Sequence, residues 1–127
     1  MISRQRMAVV PFVALALLVS CGKALAAPKS PDLWATVNIC DTLRHPDQMG
    51  VRASMPGDGS HERMFMRFRA QFLNATTHKW HNVTAGGNSG WILVGSALFK
   101  TRQAGWTFAF NAPTAGSTFT LRGTVDF

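Results

Sequence analysis

The chain has 127 residues, 46% of them hydrophobic and 15% charged, which is room for one domain with a modest core and excludes a second domain. Its formal charge is +7, yet the basic residues are not clustered as a nucleic-acid reader requires, so nucleic acid is excluded as a partner. No repeat or low-complexity tract is present.

Residues 1–26 read as a secretory signal peptide. Arg4 and Arg6 precede the uncharged apolar run Met7 to Val19, and small residues follow. Ala24-Leu25-Ala26 offers an ordinary cleavage site that would leave Ala27 first. Leu18-Val19-Ser20-Cys21 with Gly22 instead resembles a bacterial lipobox, in which residues 1–20 are removed and Cys21 is lipidated. The expected location is therefore secreted, or else membrane-anchored through that lipid alone. Loss of Arg4, Arg6 and Lys23 leaves ten basic residues against six acidic ones, a mature charge of +4. Such a charge favours solubility and a weak attraction to anionic envelope polymers.

Residues 27–32 form a Pro/Lys/Ser linker, and 33–127 form the folded domain. Leu33, Ala35, Val37 and Ile39 alternate with polar or mixed positions, which predicts a first strand. Cys40 within it is the one cysteine of the domain. An exported cysteine is expected in a disulfide with a missing partner, in a dimer, or as a buried free thiol. Val51, Ala53 and Met55 predict a short second strand, closed by Pro56-Gly57-Asp58-Gly59.

The clearest strand is Glu62 to Leu73. Met64, Met66, Phe68, Ala70 and Phe72 share one face, while Arg63, Phe65, Arg67, Arg69 and Gln71 share the other. The row Arg63, Phe65, Arg67 and Arg69 is the candidate binding face, a flat cationic strip suited to an anionic envelope polymer or a protein partner. A turn at Asn74 to Lys79 leads to a short strand, Trp80 to Val83. After the loop Ala85 to Gly90 come one or two strands in Gly90 to Phe99, a short strand at Trp106 to Phe110, and a last one at Phe119 to Phe127. Trp34, Trp80, Trp91 and Trp106 are expected in the core or at its edge, because large rings fill the gap between stacked sheets.

About seven strands with this spacing predict an all-β fold, an immunoglobulin-like antiparallel sandwich. The last strand stops at Phe127 without a turn, so a closing C-terminal strand is expected to be lacking or supplied by another chain. The segments LWATVNICDT, MGVRASMPG, MFMRFRAQF, WHNV, RQAGWTFAF and FTLRGTVDF resemble those of uncharacterised secreted bacterial proteins with an immunoglobulin-like β-sandwich. That resemblance implies the same fold and export, and it carries no catalytic residues.

Chemistry-bearing motifs are weak. Gly87-Asn88-Ser89-Gly90 is similar to a serine-protease nucleophile loop but lacks its aspartate and next glycine. His78 and His81 would point to opposite sides of a strand. Asp58 and Glu62 match no calcium loop. The sequence therefore predicts no catalytic, metal or cofactor residues. It predicts an exported non-enzymatic domain with a binding or adhesion role at the cell envelope. A structural unit completed by a partner strand is the second reading, and a small extracytoplasmic hydrolase the third.

Overall fold

The structure, a computed structural model, describes residues 30–127. The signal segment 1–26, the candidate lipidation site Cys21 and the start of the 27–32 linker lie outside the described residues.

The alternation between apolar and polar residues builds β-structure throughout. Among the described residues seven strands form: β1 (Trp34–Thr42), β2 (His45–Pro56), β3 (Arg63–Asn74), β4 (Lys79–Asn82), β5 (Asn88–Ser96), β6 (Thr101–Ala109) and β7 (Leu121–Asp126). They make two antiparallel sheets, consistent with a β-sandwich. One has the order β1-β2-β6, and the other is centred on β3. β2 and β6 are longer than predicted. Their added residues run from His45 to Gly50, with Pro56, and from Thr101 to Gly105; apart from Met49 they carry no apolar alternation, and cross-strand pairing draws them in.

Pairing along β3 fixes the second sheet. Arg67, Arg69, Gln71 and Phe72 pair with β7 and also with β4 or β5. A strand has two edges, so β4 and β5 must follow one another along the edge opposite β7. They behave as one interrupted strand. Ala70 spans the interruption: its C=O accepts from Val83 N–H (2.9 Å) and its N–H donates to Gly87 C=O (2.8 Å), so 84–86 bulge out. Beside the bulge, Phe68 N–H would lose its ladder partner. Ser89 Oγ accepts it instead at 2.9 Å and itself donates to Gly90 C=O at 2.7 Å. Ser89 is thereby a ladder substitute, with its proton committed.

The core lies between the two central strands. Met49, Val51 and Ala53 of β2 face Met66, Phe68 and Ala70 of β3, joined by Phe108 of β6. All are at most 2% exposed, and each larger side chain contributes about 1.5–3 kcal/mol by leaving water. β7 comes so close at Gly123 that a Cβ there would lie 2.4 Å from Val51 Cγ2. Glycine is needed for that approach. At Gly57 a Cβ would meet the backbone oxygens of Phe99 and Ala97, and the loop is tied there by Gly57 N–H to Lys100 C=O and Gly59 N–H to Ala97 C=O, both 2.9 Å.

Candidate functional site

The even-numbered residues of β3 from Met64 to Ala70 fill the core, so the odd-numbered ones must face solvent. Arg63, Phe65, Arg67 and Arg69 thus form one row on the outer face, as their spacing predicted. Register adds neighbours that the sequence did not reveal. Arg67 pairs with Trp91 on one side and Asp126 on the other. Leu73 pairs with Trp80, Phe65 with Leu93, Arg69 with Thr124 and Gln71 with Arg122.

The arginines lie against aromatic rings. The Arg67 guanidinium carbon is 4.8 Å from the Trp91 ring centre, that of Arg122 is 4.3 Å from Trp80, and that of Arg63 is 5.4 Å from Phe65. Each such contact is worth about 0.5–1 kcal/mol where exposed. Stacking holds a long flexible side chain flat while leaving its in-plane N–H groups available to a partner. Arg122 also donates through Nε to Gln71 Oε1 at 2.7 Å, and Gln71 Nε2 donates to Asn82 Oδ1 at 2.8 Å.

Asp126 organises the centre. Its Oδ2 accepts from Arg67 Nε and its Oδ1 from Arg69 NH2, both at 2.8 Å. One carboxylate between two guanidiniums leaves this face, with Arg63 and Arg122, at +3. The Arg67 hydrogen bond holds the Asp126 carboxyl below its ordinary value of 3.8; the charges of Arg69 and Arg67 assist, and burial opposes. The ion pairs are therefore fully present above that ordinary value and are lost as pH falls through the lower folded one. Acid titration of folding should show a loss of stability below about pH 4 that flattens in Asp126→Asn. An equally steep profile in the variant would contradict this role.

No tryptophan is buried in the core, although Trp106, paired with Val51, stands at its edge. Trp34, Trp91 and Trp106 are 37%, 54% and 40% exposed, and Trp80 is half-buried. Met, Val and Phe side chains already fill the inter-sheet space, while Trp80 and Trp91 pair with outward-facing residues of β3. Trp34 pairs with Ser54 on the outer side of the other sheet, and Trp106 sits on edge strand β6 opposite Val51.

Cys40 is an exposed free thiol, neither buried nor bridged to a described residue. It lines a cleft of about 570 Å³ between the sheets, with Met49, Phe72, Phe110, Phe119 and Leu121 forming apolar walls and Asp41 and Asp47 nearby. A second, more open hollow of about 670 Å³ lies near Met55, Phe65 and Phe127. Neither lining contains a histidine. Asp58 Oδ1 accepts from Ser60 N–H at 2.9 Å, which closes a turn, and hydrogen bonding from the Ser60 hydroxyl, followed by that N–H, lowers the carboxyl's pKa. His81 stacks on Phe72 with ring centres 5.6 Å apart. Among the described residues no three His, Cys, Asp or Glu side chains are placed to hold a metal ion.

No protein-family model matches the chain, and no curated protein or solved structure shows significant similarity to it.

Proposed function

We propose that the chain is an exported, non-enzymatic, immunoglobulin-like binding domain whose outer β3 face holds an anionic polymer of the cell envelope. The observation that carries this reading is the flat row of arginines stacked on Phe65, Trp80 and Trp91, with a surplus of three positive charges. A flat cationic surface with aromatic rims suits a partner that is extended, ringed and acidic. Charge draws it in, and ring faces give apolar contact.

Strand order supports the immunoglobulin type. β2 pairs with β1 and β6, and β3 with β7 and the β4–β5 edge, as strands B and C pair with A, E, F and C′ in that fold. The charged, apolar and small-residue sequence of 1–26 supports export, with lipidation at Cys21 as the alternative to free secretion.

Calorimetric titration with polygalacturonate, against uncharged dextran, tests the assignment. Binding of the acidic polymer alone, weakening as salt is raised, is expected, because the Debye length shrinks from about 10 Å at 0.1 M to about 3 Å at 1 M. Equal binding of both polymers, or of neither, would overturn it.

A second reading, a structural unit completed by an added strand, is favoured by one observation. β7 pairs with β3, and among the described residues no strand covers its other edge.

A further inference from the structure

Ladder geometry shows which groups that open edge presents. Leu73 N–H donates to Thr120 C=O at 2.9 Å, continuing the register in which Phe72 meets Leu121 and Arg67 meets Asp126. Adjacent residues of an antiparallel strand turn their N–H and C=O groups to opposite edges. Thr120, Arg122, Thr124 and Asp126 therefore face β3. Leu121, Gly123 and Val125 turn theirs outward, unpaired within the described residues. Such an edge is a template for another strand.

Side chains around it are apolar on the inner side. Val37 of β1, which faces the β7 side of the sandwich, is 43% exposed, and Phe119 and Phe127 are 65% and 45% exposed. On the outer side β7 carries two charges of opposite sign, Arg122 and Asp126, four residues apart.

We propose that the strand covering this edge is β7 of a second copy, paired antiparallel about a two-fold axis at Thr124. The proposal rests on the strand-completion reading above, and charge selects the register. Pairing centred on Arg122 would set the two Arg122 side chains against each other. Centring on Gly123 would set Arg122 against Thr124 and Asp126 against Thr120, matching neither charge. Centring on Thr124 sets Arg122 of each copy against Asp126 of the other. The same register brings Gly123 opposite Val125 and Leu121 opposite Phe127, so their apolar side chains fill the inner seam. Outward-facing amides meet outward-facing carbonyls in this register. The two β3 sheets then become continuous, and their arginine–aromatic faces lie side by side for one long polymer.

Thr124 against Thr124 is a pair without mutual hydrogen bonds, with Cα atoms about 4.5 Å apart, within the span of a disulfide. In the full chain with Cys21 and Cys40 replaced by serine, Thr124→Cys should give a covalent dimer on mild oxidation, and Thr120→Cys should not. Thr124→Glu should weaken self-association about tenfold or more in sedimentation, because like charges meet on the axis. Circular dichroism checks its fold, because Thr124 Oγ1 is itself buried without a partner, as is Arg69 Nε across from it. Equal cross-linking of both cysteine variants would overturn the proposal. So would a monomer at every soluble concentration. A monomer whose Leu121, Gly123 and Val125 amides exchange rapidly overturns self-pairing alone. If those amides exchange slowly in a monomer, strand completion falls too. Polymer binding is read on the unaltered chain, so its failure and the failure of self-pairing are distinguished.

Discussion

The double variant Arg63→Glu/Arg122→Glu is expected to lose at least about tenfold in affinity for polygalacturonate at low salt, and most of its salt dependence. The two arginines stand at opposite ends of the face. Arg63 rests on Phe65, and Arg122 rests on Trp80 and bonds Gln71. Neither touches Asp126. Reversing both moves the charge of the face from +3 to −1 and leaves the central ion pairs in place. Changing Arg67 or Arg69 would confuse matters, because Asp126 would lose a partner. The contacts given up are exposed, each worth about 1 kcal/mol or less, so circular dichroism should show an intact fold. A variant that binds as tightly as the original chain would remove electrostatic recognition from the account.

Phe68→Ala should destabilise the domain by about 3–5 kcal/mol. Phe68 is fully buried at the centre of β3, packed among Met49, Val51, Met66 and Phe108. Its backbone N–H is held by Ser89, so truncation removes packing and leaves the ladder. Small domains have about 5–15 kcal/mol in total, so the variant should unfold at markedly lower urea. Phe65→Ala, three positions earlier on the same strand, removes a ring of similar size from the solvent face. Its cost should stay below about 1 kcal/mol. Similar urea midpoints for the two variants would contradict the assignment of faces.

The β3 alternation was legible because one face of that strand is core and the other is water. Met64, Met66, Phe68 and Ala70 therefore announce themselves, and so does the arginine row. The full extents of β2 and β6 were not legible. His45 to Gln48 and Thr101 to Gly105 lie in strands because their neighbours pair with them, and no local pattern records that. The tryptophans misled for a related reason. A large apolar ring reads as core material, but Trp80 and Trp91 fall on the outer parity of a strand interrupted by the 84–86 bulge. Asp126 and Arg122 stand at alternating outward positions of the last predicted strand, so their common face could be read. Their position beside β3 depends on the pairing of Arg67 with Asp126, fifty-nine residues apart. The exposure of Cys40 follows from the cleft between the sheets, which forms only once both are stacked.

Amide and indole chemical-shift mapping during a polygalacturonate titration interrogates the recognition surface most directly. Perturbations are expected to be confined to Arg63 through Arg69, the Trp80 and Trp91 indoles, and Arg122 through Asp126. Perturbations centred on the Cys40–Phe119 cleft or on β1, β2 and β6, or none at all, would contradict recognition by this face.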